Sequence, residues 1–203
     1  MAVYCVNMKD RTFDILLIGG ASGTGKSKIA YQLGSHYRMN VIQVDDFQLL
    51  VESCTKESDY PVFHYWRNHF DEAKKQPMSR KLEIMIAYAN ELSKLLDPVI
   101  ISHLDQSRST ILEGDFISPN LCKRLLTNKE TRSRVKCIFM VEDTKELIVE
   151  NFLDREGSMQ EDRAELSFHY NNWLKEQSEG SDIVLVSSRP WNTCLKRITK
   201  KIH

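Results

Sequence analysis

Phe13 to Ser27, FDILLIGGASGTGKS, constrains the fold of this chain more than any other stretch. Ile15 to Ile18 are consecutive aliphatic residues closed by glycines, the pattern of a strand buried on both faces of a parallel sheet. Gly20, four residues, Gly25, Lys26 and Ser27 then match G-x-x-x-x-G-K-[ST] in full. The match lies between a strand and a helix start, where a phosphate-binding loop has to be. The glycines let successive N–H groups turn inward around an anion, and the helix that follows adds its dipole and unpaired donors. Gly20, Ala21, Ser22, Gly23, Thr24, Gly25, Lys26 and Ser27 are therefore the expected nucleotide-binding set. Lys26 is expected to reach the β- and γ-phosphates, and the Ser27 hydroxyl to be a ligand of Mg2+, so ATP and Mg2+ are the expected cofactors.

Charge and length narrow the field. Lys plus Arg and Asp plus Glu are each 28 among 203 residues, so no net field draws nucleic acid or an anionic membrane surface. Cys5, Cys54, Cys122, Cys137 and Cys194 are odd in number and lack C-x-x-C spacing, which predicts reduced thiols and a cytoplasmic setting. No apolar run approaches the roughly 18 residues of a membrane span, and the N-terminus has no signal-peptide pattern. The length suits one α/β domain, a monomer or homodimer, with an inserted helical region.

Read in order, residues 1–12 form a short lead-in. Ile29, Ala30, Leu33 and Tyr37 recur at helical spacing, predicting a helix from Lys26 to about Tyr37. Val41 to Val44 reads as a second strand, ending in Asp45 and Asp46. From Gln48 to Pro77 aromatics and two histidines, His64 and His69, occur without a clean period, and packing or surface histidines are expected there. Ser79 to Leu96 reads as a long helix, with Asp97 and Pro98 as cap and first position of another helix, Val99 to about Leu104. Ser109 to Leu112, Lys136 to Val141 and Ile183 to Val186 read as strands, with helices over Thr144–Leu153, Ala164–Gln177 and Trp191–Ile202. Lys123 to Lys136 reads as solvated surface. Five strands alternating with helices predict an α/β fold with a parallel sheet covered on both faces.

In such sheets ligands bind beyond the carboxyl ends of the strands. That rule puts Asp45, Asp46, Glu113, Asp115 and the residues after Val141 and Val186 on the rim of the phosphate loop. Asp45 or Asp46 is the candidate for positioning an acceptor hydroxyl, the plainer alternative being a helix cap. Glu113, in TILEGD, follows a β-rich stretch and is a candidate for acting on magnesium through water. Arg155 and Arg163 flank Gly157 in a polar stretch, 154–163, that reads as a lid able to neutralise transition-state charge, or as a solvated loop. Arg189 and Trp191 follow the last strand, where a nucleotide base would lie; Trp191 reads equally well as core.

The combination ILLIGGASGTGKS (15–27), VDDF (44–47), ILEGDFISP (111–119), the arginine-bearing stretch 154–163, WLKEQ (173–177) and SSRPW (187–191) resembles the small P-loop kinases related to adenylate kinase. Within that group it is most similar to 2-phosphoglycerate kinase and the zeta-toxin-like kinases. The resemblance implies a P-loop NTPase fold with sheet order 2-3-1-4-5. It also implies γ-phosphoryl transfer from ATP to a small molecule, an acid at the end of the second strand as base, and lid arginines at 155 and 163. The helical region 48–108, where the acceptor should bind, carries no family motif. The competing readings are a non-enzymatic nucleotide switch and a toxin-like kinase of a nucleotide sugar. A GTPase is disfavoured, because Asn128-Lys129-Glu130-Thr131 puts Thr where the guanine signature needs Asp.

Overall fold

The computed structural model of the chain describes residues 11–203. Most of the lead-in, and Cys5 with it, lies outside the described residues. Five strands form one parallel sheet in the order β2-β3-β1-β4-β5. They are β1 (Ile15–Gly20), β2 (Asn40–Gln43), β3 (Thr110–Glu113), β4 (Val135–Val141) and β5 (Val184–Ser187). The resemblance implied that order, and the sheet has it.

The apolar run of β1 explains the layering. Successive side chains of a strand point to opposite faces, so Ile15 and Leu17 enter one core and Leu16 and Ile18 another. The first core is covered by α5 (Met78–Asp105), α6 (Pro119–Thr127) and α8 (Glu161–Ser178), through Tyr88, Leu92, Leu121, Tyr170 and Leu174. The second is covered by α1 (Lys26–Tyr37) and α9 (Trp191–Ile202), through Ile29, Leu33, Cys194 and Ile198. Ile148 and Phe152 of α7 (Lys145–Glu156) pack on Ala164 of α8 in a third, smaller cluster beneath the phosphate loop.

The structure corrects several boundaries. The stretch without a clean period contains α2 (Val44–Cys54), α3 (Pro61–Asn68) and α4 (Phe70–Lys75). Val44 is the first residue of α2 and not the last of β2, so Asp45 and Asp46 occupy a helix's first turn, where its dipole favours acids. No break occurs at Asp97 and Pro98: α5 runs through both. A helix-interior proline costs about 3 kcal/mol. Beyond it, Ile100 and Leu104 continue the buried row of Leu92 and Leu96 at i, i+4 spacing. Burial of two such side chains contributes about 3–6 kcal/mol, which offsets the proline.

Lys123 to Lys136 is only partly solvated. Its first residues belong to α6, where Ser118 Oγ accepts from Leu121 N at 3.2 Å, Pro119 opens the helix, and Leu121 and Leu125 are buried. The stretch 154–163 is likewise more helical than its polarity implies. Helix α7 extends through Glu156 to a left-handed Gly157, and α8 begins at Glu161, leaving 157–160 as connection.

Candidate active site

The loop between β1 and α1 closes on the Ala21 carbonyl. Thr24 Oγ1 and Lys26 Nζ both donate to it, each at 2.9 Å. Lys26, 6% exposed, also lies 2.5 Å from Asp115 Oδ1. Gly25 caps α1 in the left-handed region (φ 82°), and a Cβ there would fall 1.9 Å from Cη2 of the Trp191 ring. The lysine that a phosphate would meet is thus held at the floor of the loop, and the aromatic ring rests against the loop's own backbone.

Carboxylates crowd around that lysine. Glu113 ends β3 and is 3% exposed. Burial pushes its carboxyl above the ordinary range, with Asp45 and Asp115 adding, while Lys26 and a hydrogen bond with Ser27 oppose the rise. Asp45 is also pushed up, by loss of water first, then by Asp115 and Asp46 and against Lys26 and Arg155. By area the residue keeps solvent contact, so its rise reflects a carboxyl at the edge of a crowded cleft and not a fully buried one. The two aspartates are therefore unlike. Both lie exposed by area on the first turn of α2; Asp45 interacts with Lys26, Glu113 and Asp115, and Asp46 with Asp45. Neither caps α2, whose N-cap is Gln43.

A cleft of about 320 Å³ opens in front of the loop, lined in part by Gly23, Lys26, Ser27, Asn151, Arg155 and Trp191. Arg155, in the last turn of α7, and Arg163, in the first turn of α8, meet over the Phe152 ring, at 5.2 and 4.6 Å from its centroid. Both pair with Glu156, and Arg163 also donates to Ser22 Oγ at 3.1 Å. Two arginines eight positions from each other in sequence are thus delivered to one edge of the phosphate loop by the turn at Gly157. Arg189 donates to Asn151 Oδ1 at 3.1 Å and to Glu150 at 3.3 Å. Trp191 is half-buried, with Lys28 Nζ 4.8 Å from its ring centroid, so it belongs to the cleft wall and not to the core.

On the far side of Asp45, Glu52 of α2 accepts from Tyr88 at 3.1 Å and from Gln48 at 2.9 Å. His64 is buried against Thr55 Oγ1 at 3.0 Å, and His69 pairs with Glu57 at 2.5 Å, both in packing or surface roles. Among the described residues no three His, Cys, Asp or Glu side chains converge to hold a metal ion. No helix there is long and apolar enough to cross a membrane.

No family model matches the chain. It is 26% identical over 121 residues to a 2-phosphoglycerate kinase of Methanothermobacter thermautotrophicus, an alignment covering 57% of this chain and 40% of that one. The aligned part thus spans about two fifths of the relative's length. A gluconokinase from Sinorhizobium meliloti superposes with a TM-score of 0.57 at 12% identity, over 95% of this chain and 93% of that one. An unliganded sugar kinase from a Janibacter species gives 0.59 at 16% identity, over 94% of each. This is the fold of the small P-loop kinases. At such identities the superpositions establish the fold alone.

Some of the site is invisible in the sequence. The Lys26–Asp115 pair joins two residues that the rim rule brings to one edge, but nothing local announces the contact. Glu142 follows β4 directly and so satisfies the same rule. Asn151 sits inside α7 and carries no motif, yet it donates to the Gly23 carbonyl at 2.8 Å.

Proposed function

We propose that the chain is an ATP-dependent phosphotransferase that moves the γ-phosphoryl group of Mg-ATP to a hydroxyl of a small-molecule acceptor. The observation that carries this reading is the setting of Lys26. A buried phosphate-loop lysine faces Asp115, with Glu113 and Asp45 beside it and two arginines at the loop's edge. Phosphoryl transfer needs cations around the equatorial oxygens, an anion to take or orient the acceptor's proton, and a cleft that holds both substrates in line.

In this reading the backbone N–H groups of 20–27 cradle the phosphates, and Lys26 leaves the Ala21 carbonyl and Asp115 to meet them. Ser27 Oγ and the Glu113 carboxylate are oxygen donors suited to a hard divalent ion, which takes most of its shell from water and phosphate. Magnesium, when bound, would supply positive charge against the phosphates. Asp45 orients the acceptor hydroxyl and receives its proton. A raised carboxyl fits that role, because a base works best near the operating pH. Arg155 and Arg163 neutralise charge on the transferring group, while Arg189 and Trp191 border the base. The stretch 154–163 acts as lid, and the helical region 48–108, with Glu52 and Tyr88 at its mouth, receives the acceptor.

The test is transfer of label from γ-labelled ATP to a panel of phosphoglycerates, sugars, nucleosides and nucleotide sugars. A labelled acceptor supports the proposal and names the acceptor class, including the toxin-like case if it is a nucleotide sugar. Tight nucleotide binding with no labelled acceptor favours the non-enzymatic switch.

A further inference from the structure

A hydrogen-bonded set of buried and half-buried side chains lies beside the phosphate loop. Glu142, wholly buried, accepts through Oε1 from Ser188 Oγ and from Asn151 Nδ2, the latter at 3.2 Å. The same amide nitrogen donates to the Gly23 carbonyl at 2.8 Å, and Asn151 Oδ1 accepts from Arg189 at 3.1 Å. From α8, Asn171 and Lys175 hold the Glu142 carbonyl at 2.9 and 2.8 Å.

A side-chain amide has two N–H donors on one end and an acceptor on the other. Here both donors meet acceptors and the acceptor meets a guanidinium. Turning the amide over would set oxygen against the Gly23 and Glu142 oxygens and N–H against Arg189, so all three contacts would become repulsive. A carboxylate at 142, which only accepts when ionised, therefore dictates which way Asn151 faces. A buried carboxylate is a costly way to fill space. Glu142 Oε2 and Arg189 Nε, moreover, are buried without a partner, so packing alone does not account for charge at these positions.

We propose that Glu142 and Asn151 are positioning residues that lock the phosphate loop and the Arg189–Trp191 loop in one mutual geometry, so that nucleotide affinity depends on a carboxylate the nucleotide never touches. This rests on the nucleotide-binding reading above. Asn151 acts on the loop through Gly23, and Glu142 acts through Asn151 and Ser188. Burial pushes the Glu142 carboxyl up, while the Ser188 and Asn151 hydrogen bonds and the Arg189 charge oppose the rise and Asp143 adds to it. The other charged or titratable groups around the pair include Glu150, Lys175, Arg197, which donates to the Arg189 carbonyl at 2.9 Å, and Cys194; burial pushes the Cys194 thiol up, against the Arg197 charge.

The test is titration calorimetry of Mg-ADP with the whole chain, at about pH 8 and about pH 6, alongside melting temperatures. Asn151→Asp keeps the shape but removes both donors and faces a second carboxylate to Glu142. Its affinity at the higher pH should fall about tenfold to a hundredfold relative to wild type. At the lower pH a proton shared by the two carboxylates restores a donor, so the ratio to wild type should narrow. Adding Glu142→Gln to Asn151→Asp supplies an N–H in place of that proton, and should recover part of the affinity at the higher pH. A purely structural role would lower the melting temperature without this pH-dependent ratio or this recovery. Asn151→Asp binding as wild type does, or a ratio unchanged by pH and by Glu142→Gln, overturns the proposal. A wild-type chain that binds no Mg-ADP overturns the nucleotide reading itself and the positioning proposal with it.

Discussion

Replacing Gly25 by alanine should damage the protein through two separable effects. The first is local: at φ 82° an alanine pays about 1–2 kcal/mol that glycine does not. The second is steric, because the new Cβ would lie 1.9 Å from Trp191 Cη2 and 2.8 Å from Cζ3. The ring stands at the start of α9, whose Cys194, Ile198 and Ile202 are locked in the core, so the helix cannot retreat with it. Displacing the ring adds about 1–3 kcal/mol, as for other overpacked contacts. The sum, about 2–5 kcal/mol, corresponds to a fall in Tm of roughly 4–20 °C for a chain of this size. A double-mutant cycle separates the parts. In a Trp191→Ala background only the backbone effect should remain, so Gly25→Ala should there cost about 1–2 kcal/mol, measured by chemical denaturation. Equal penalties in both backgrounds would show that the ring does not rest on Gly25, and would refute the geometry of the cleft wall.

The remaining predictions concern the carboxylates. Asp45→Asn should lower kcat about a hundredfold or more, as loss of a proton-transfer group does, while Asp46→Asn should stay within a few-fold of wild type. Equal, mild losses in steady-state assays would mean that neither carries the proton. Glu113→Gln should stabilise the protein near pH 8 while impairing transfer. The Glu113 carboxyl is raised on folding, so the folded state binds more protons than the unfolded one between the ordinary value of 4.5 and the raised value. Wild-type stability therefore grows as the pH falls through that interval, and the deficit that Glu113→Gln removes is full above it. The gain in Tm, about 2–4 °C for each kcal/mol relieved, should shrink toward zero as the pH approaches 4.5. A loss of Tm near pH 8 that deepens with rising pH would contradict the burial argument.

How far the sequence could be read depended on how local each cause is. The β1 run, the phosphate loop and the apolar spacing of α1 are local patterns, and the structure has all three where expected. The continuity of α5 was hidden because Pro98 is a strong local stop signal, overridden by burial of Ile100 and Leu104 against a sheet distant in sequence. Helix α6 was hidden by its charge; the structure shows its start at the Ser118 cap and Pro119. In the site, the rim rule brought Asp45, Glu113 and Asp115 together but could not separate Asp45 from Asp46. That difference arises from packing, since Gly114 lets α2 approach so closely that a Cβ there would lie 2.7 Å from Val44 Cβ and 3.5 Å from Asp45 Oδ1. Asn151 needs the third dimension altogether: its partners at 23, 142 and 189 come from three different loops.

The central claim is that Lys26 acts on the phosphoryl group in transfer. The most direct measurement is acceptor-stimulated ADP release from Mg-ATP by wild type and by Lys26→Ala, with folding of the variant verified by its melting curve. The account predicts release stimulated by one acceptor class in wild type and reduced at least about a hundredfold in the folded variant. Release by Lys26→Ala near the wild-type rate would contradict it.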